Sequence, residues 1–156
     1  MVRFQTQEPC DGVAFARGLS LALSIPCIGV TSLEAALPDG QQGSSVVLLP
    51  AQRRAPDITY WCQRFRSGAA IAEAEEVTLE AIVADLRAHP HFVYGEGLDA
   101  LTDALPDLVT HPATTRADRA AILAQGFDPE SHLPSPAYVR APDVALPGGK
   151  QPPPQT

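Results

Sequence analysis

Three features of the sequence predict an α/β chain in which a mixed sheet is covered by helices. Two short runs, Cys27-Ile28-Gly29-Val30 and Val46-Val47-Leu48-Leu49, contain no polar residue, as strands buried on both faces require. Residues 45–75 are rich in β-branched and aromatic residues and are broken by single turns, the signature of a meander. From Thr78 onward, segments of helical period alternate with short apolar runs, which places helices against the sheet.

At 156 residues the chain can bury one core or two small ones. Its 45% apolar and 19% charged residues are ordinary for a globular protein. A net charge of −7 argues against direct nucleic-acid binding, which calls for a basic face. Arg53 and Arg54, with Arg64 and Arg66, read as a solvated hairpin rim. Met1 to Cys10 has no apolar core of a signal peptide, and no run reaches membrane-spanning length. Cys10, Cys27 and Cys62 show no ligand-like spacing. Cys27 and Cys62 read as small core residues, and a reducing cytoplasm is the simplest setting.

The elements follow in order. Asp11 to Ser24 reads as a helix, with Asp11 as its N-cap and Pro26 as its stop. Phe15, Leu19 and Leu23 form one stripe, and Ala14, Gly18 and Ala22 form another beside it. With Arg17 and Ser20 as the only polar residues between Val13 and Leu23, this helix has no polar face and is expected to be covered on more than one side. Two readings stay open: the central helix of one core, or a helix with one face on its own sheet and the other on a partner. Gly18 costs about 1 kcal/mol against alanine within a helix, so close approach of another helix is expected at the small stripe. Pro26 to Val30 reads as a buried strand. Thr31 or Ser32 caps a short helix with Glu34 in its first turn.

Asp39 to Ser45 is a loop by composition. Ser45 to Leu49, Ile58 to Arg66 and Ala69 to Glu75 read as three antiparallel strands, joined by a turn at Pro50 to Asp57 and a hairpin turn at Ser67-Gly68. Thr78 to Ala88 is a helix capped by Thr78, with Leu79, Ile82, Val83 and Leu86 on its apolar face. His91 to Gly95 is a strand, Gly95-Glu96-Gly97 a turn, Leu98 to Leu105 a short helix, and Leu108 to Thr110 a strand. Thr115 to Gln125 is a helix with Ala117, Ala121 and Leu123 buried and Gly126 just past its end. Tyr138-Val139 is an isolated apolar pair. Pro147 to Thr156 has nothing to bury and is expected to be disordered.

No catalytic constellation stands out. His89 and His91 flank Pro90 with no further ligand at metal-binding spacing, and His111 and His132 stand alone. Gly95-x-Gly97 lacks the lysine and context of a phosphate loop. Asp128, Ser131 and His132 fall in a loop, a poor setting for a triad. Glu73, Glu75 and Glu76 read as a solvated strand end.

The stretch Ala16 to Leu37, ARGLSLALSIPCIGVTSLEAAL, resembles the TsaB (YeaZ) family, in which a helix ending "ARGLALAL" leads into "P-IGVSTLEAL". HFVYGEGLDAL is similar to that family's strand-to-helix step. SPAYVRAPDVALP is similar to its closing "PxYLR" segment through Pro136, Tyr138, Val139 and Arg140. VVLLPAQRRAPDITYW keeps the rhythm of a further segment, with Pro50 where the family has an aspartate. The family's opening hairpin with its "DTS" motif, and "GPGSFTGVR", do not occur, so the resemblance implies a shortened copy of the family's chain. It implies a partial actin-like (ASKHA, RNase H-like) fold without the N-terminal hairpin. Residues 1–10 are then an atypical N-terminus, 11–37 a remnant of the N-terminal domain, 45–146 the C-terminal α/β domain and 147–156 a tail.

The same resemblance implies a non-catalytic partner subunit with no cofactor and no metal. TsaB binds TsaD, the family's catalytic relative, through a helical bundle and works with the ATPase TsaE. Together they transfer a threonylcarbamoyl group to adenosine 37 of tRNA. The HxxxH metal pair of TsaD does not occur in this chain. Ala14, Phe15, Gly18, Leu19 and Ala22 are the residues expected to meet TsaD, or a second copy of the chain in a homo-oligomer. The other readings are a small α/β enzyme whose site is assembled from loops, and a non-functional fragment.

Overall fold

The computed structural model describes residues 8–52, 57–113 and 117–135. The elements run α1 (Glu8–Leu23), α2 (Ser32–Ala36), β1 (Ser44–Gln52), β2 (Thr59–Arg66), β3 (Ala69–Ala70), β4 (Glu75–Thr78), α3 (Leu79–Ala88), β5 (Phe92–Gly95), α4 (Asp99–Ala104), β6 (Thr110–Pro112) and α5 (Ala117–Ala124). They build the mixed, helix-covered sheet that the sequence predicts. Its order is β3-β2-β1-β5-β6, with β4 also on β2. β2 is antiparallel to β1, while β5 runs parallel to β1 and β6 parallel to β5.

β1 is central because its apolar run serves both faces. Successive side chains point to opposite sides of a strand. Val46 and Leu48 join Tyr60, Cys62 and Val93 under Ile82, Val83 and Leu86 of α3 and Leu101 of α4. Val47 faces the other way, with Phe65 and Tyr94, under Leu33, Ala36 and Leu37. α2 is fixed there by a capping box: the Thr31 hydroxyl accepts from the Glu34 amide at 3.1 Å, and the Glu34 carboxylate accepts from the Thr31 amide at 2.8 Å. Arg119 of α5 donates to the Leu37 carbonyl at 3.2 Å and pairs with Asp39, pinning α5 beside α2.

Thr78 caps α3 as the sequence predicts, accepting from the Ala81 amide at 3.2 Å. The hairpin turn is also where expected. Ser67 (φ 48°) and Gly68 (φ 85°) both lie in the left-handed region, which matches the twist of the strands they join.

Several expectations fail, each for a local reason. α1 begins at Glu8, so Asp11 lies inside the helix and is not its cap; Pro9 in the first turn favours the earlier start. α1 closes before Pro26 acts. Ser24 adopts φ 52°, and the amides of Ser24 and Ile25 return to the carbonyls of Leu21 and Ser20, the double bond of a Schellman end.

Cys27 to Val30 forms no strand, and Cys27 is half-buried rather than core. β1 already pairs with β2 and β5, leaving this segment no ladder. Among the described residues, its one backbone bond runs from the Gly29 amide to the His132 carbonyl at 2.8 Å. Pro50 to Gln52 extends β1 past a register shift instead of forming a turn. The third strand of the meander splits: four residues, 71–74, bulge out between β3 and β4 opposite Gln63 and Arg64 of β2. β6 lies two residues later than predicted. In α5, Ala117 and Ala121 are exposed and Leu123 is half-buried, because α5 touches the body through one side only. Arg53, Arg54, Tyr138-Val139, the 136–140 match and the tail lie outside the described residues.

Candidate partner interface

α1 is rich in alanine and leucine, which suit a helix, and it stands apart from the core. Its apolar side chains face solvent: Phe15 is 70% exposed, Leu19 45%, Leu21 83% and Leu23 61%, and Ile25 just beyond is 53% exposed. Only Val13 and Ser20 are half-buried among residues 12–23. At about 100° per residue, these two share one side of the helix. Ala14, Phe15, Gly18, Leu19 and Ala22 fall on the opposite side, and the structure brings all five together there, exposed. A side chain added at Gly18 would meet nothing within 4 Å. The reading of α1 as the central helix of one core is therefore corrected, as is its coverage by the chain's own sheet. Leu21 and Ile25 enlarge the patch beyond the residues predicted from sequence; the signal for them was the lack of any charged residue from Gly18 to Thr31.

The Ser20 hydroxyl donates to the Ile25 carbonyl at 2.5 Å, and residues 27–30 then lie against 132–134. A Cβ at Gly29 would sit 2.5 Å from the Leu133 carbonyl oxygen, so glycine permits this close contact.

The residues weighed for catalysis are placed as follows. Ser131 donates to the Asp128 carboxylate at 2.8 Å, while the His132 ring stacks on Phe127 with centroids 4.0 Å apart. Serine and histidine both turn to Asp128: the His132 Nδ1 lies 3.3 Å from the Asp128 carbonyl, and the Asp128 carboxylate bonds the serine. The Ser131 hydroxyl and the Glu130 amide hold the Asp128 carboxyl below its usual range, as in a capped turn. His89 lies 3.3 Å from Asp85, which also accepts from Arg64 at 2.9 Å. The His111 ring stacks on Tyr94. Burial pushes the Cys62 thiol up to about 11, which leaves it protonated and a poor nucleophile. Among the described residues, no three His, Cys, Asp or Glu side chains gather as metal ligands, and no helix is long and apolar enough to cross a membrane. Arg64 is engaged by Glu75 and Asp85, so it offers no free basic patch.

No known family profile matches the sequence, and no curated protein does. Among solved structures the chain is similar to an uncharacterised Pseudomonas aeruginosa protein described as similar to the peptidase YeaZ. The TM-score is 0.53 with 19% identity, over 83% of this chain and 66% of that one. It is also similar to YeaZ from Pseudomonas aeruginosa, at 18% identity and TM-score 0.49, over 73% of this chain and 57% of that one. The expected fold is thus found: the chain has the fold of the YeaZ-like structure, and it spans just under two thirds of that protein's length.

Proposed function

We propose that this chain is a non-catalytic subunit that docks through α1 onto an actin-like partner of the TsaD type. In that role it supports threonylcarbamoyl transfer to adenosine 37 of tRNA, with TsaE reached through the complex. One observation carries the reading: α1 and the residue just beyond it present Phe15, Leu19, Leu21, Leu23 and Ile25 to solvent, while only Val13 and Ser20 among residues 12–23 are half-buried. Exposed apolar patches of this kind mark interaction sites. The open flank at Gly18 and Ala22 suits another helix, which approaches closely where side chains are small. The YeaZ-like fold supports the choice of partner, and the sequence resemblance supports the reaction. The net charge of −7 leaves tRNA to the partner. Nothing among the described residues favours the peptidase activity attached to YeaZ by name.

The test is titration of the purified full chain with TsaD from the same organism, followed by calorimetry and size-exclusion chromatography. A stoichiometric complex is expected, weakened at least about tenfold by Gly18→Leu, a loss of roughly 1.4 kcal/mol. The melting temperature of the free chain should not fall with that substitution. Absence of a complex sinks the proposal; a stable dimer of the chain itself, lost in Gly18→Leu, would assign the face to a second copy.

A further inference from the structure

The core under α2 holds two polar side chains, Ser45 of β1 and Gln63 of β2, whose reading does not depend on the partner. Ser45 is 0% exposed and Gln63 7%. Each stands two residues before a member of that core, Val47 and Phe65. Residues two apart along a strand share a face, so both side chains lie on the α2 side of the sheet. The register also makes them neighbours. Ser45 pairs with Phe65 and Val47 with Gln63, which sets Ser45 and Gln63 on a diagonal across the two strands.

The Gln63 carboxamide is only half used. Its Nε2 donates to the Ala72 carbonyl at 3.3 Å, which ties β2 to the bulged residues 71–74. Its Oε1 is buried with no hydrogen-bond partner, and so is the Ser45 Oγ. The two oxygens therefore do not bond each other. Buried polar atoms of folded proteins are nearly always satisfied, by protein or by ordered water, and one left unpaired is costly. Two such atoms on one face, on neighbouring strands, point to a shared partner.

We propose that one buried water bridges the Ser45 Oγ and the Gln63 Oε1, and through Gln63 keeps residues 71–74 seated on the sheet. Backbones of diagonal neighbours stand about 7–8 Å apart, and serine is shorter than the Val47 and Phe65 side chains beside it, so a molecule of this size suits the gap. The Gln63 Oε1 can only accept, while the serine hydroxyl can donate or accept. The water gives one hydrogen to Gln63 and meets Ser45 with the other or with a lone pair. A buried water is held by two to four polar partners, and these two supply the minimum. A hard cation calls for about six oxygen ligands, and both atoms are closed off from solvent, which rules out a larger ligand. Ala74 packs on the same core, so the bulge has an apolar anchor beside the polar one at Gln63.

Oxygen-17 magnetic relaxation dispersion of the full chain tests this, because it counts long-lived buried waters whatever their protons exchange with. The parent is expected to hold about one such water more than Ser45→Ala, which deletes one of the two partners. In urea, Ser45→Ala should lower the folding equilibrium constant about fivefold, since the Gln63 Oε1 is then left unpaired. Gln63→Met keeps the length of the side chain; it should lose the same water and speed hydrogen exchange of the 71–74 amides about tenfold, through loss of the bond to Ala72. Equal water counts in the parent and Ser45→Ala overturn the proposal, even where stability falls, because a direct serine–glutamine bond would then account for the loss. A Ser45→Ala protein more stable than the parent also overturns it, as the hydroxyl would then be simply unsatisfied. A parent with no long-lived water overturns it without any variant.

Discussion

Gly95 is the residue on which the β1–β5 contact depends. Alanine there would place its Cβ 2.5 Å from the Leu48 carbonyl oxygen and 2.7 Å from a Leu98 methyl. The carbonyl belongs to a buried strand, so it cannot retreat without disturbing the ladder. Gly95→Ala is expected to destabilise the protein by about 1–3 kcal/mol, read as a lower urea midpoint. Gly18→Ala has the opposite expectation. It meets nothing within 4 Å and improves helix propensity by about 1 kcal/mol, so far-ultraviolet dichroism should show equal or greater helix content. The sequence marks both positions as glycine and the first as a turn. The difference between them was not legible, because Gly95 meets a residue 47 positions away.

Asp85 adds a pH-dependent term at the same scale. Burial raises its carboxyl, but hydrogen bonding and the charge of Arg64 outweigh this, and the net shift is downward. A carboxyl lowered in the folded state stabilises the protein above its unfolded value, about 3.9, and loses that contribution as pH falls through the folded value. Asp85→Asn should therefore cost up to about 1 kcal/mol near neutrality for this partly exposed pair. The gap to the parent should hold from pH 7 to about pH 5 and close below about pH 4. A gap that widens in acid would contradict the assignment.

At the scale of elements, the legible parts are those set by neighbours in sequence. The sequence marks a cap at Thr31 or Ser32 with Glu34 in the first turn, and the structure selects Thr31, three residues before Glu34; the Thr78 cap and the Ile82–Val83–Leu86 face could be read directly. Thr31→Ala removes the hydroxyl acceptor at the start of α2 and is expected to cost about 1 kcal/mol. Equilibrium urea unfolding measures it; a midpoint unchanged by Thr31→Ala would show that packing of Leu33 and Leu37 alone fixes the helix. Cys27 to Val30 shows the limit of local reading. Its composition is that of a strand, but strand formation needs a neighbour with free backbone groups, and here the neighbour is one carbonyl at His132. The split between β3 and β4 was illegible for the same reason, since a bulge is a property of the pair and not of either strand.

Across the whole molecule, strand order and the fate of α1 depend on contacts that no single stretch encodes. The apolar composition of α1 led to the expectation of a helix covered on more than one side, whereas among the described residues its Phe15, Leu19, Leu21 and Leu23 face solvent. A 16-residue helix is marginal without packing, whereas Val46 to Leu48 are buried under helices on both sides. Stability should therefore be uneven along the chain. In hydrogen exchange of the free protein, amides of Val13 to Leu23 should open with free energies near zero, while those of Val46 to Leu48 exchange only on global unfolding. Adding a partner that covers α1 raises the protection of the helix in proportion to RT ln(1 + [L]/Kd), about 2.7 kcal/mol at a hundredfold excess over Kd. The rise should be concentrated in α1. Protection of α1 equal to that of β1 in the free chain, and independent of protein concentration, would mean that the helix is packed on its own body in solution. Protection that grows with protein concentration would instead place a second copy of the chain on the Phe15–Leu19 face.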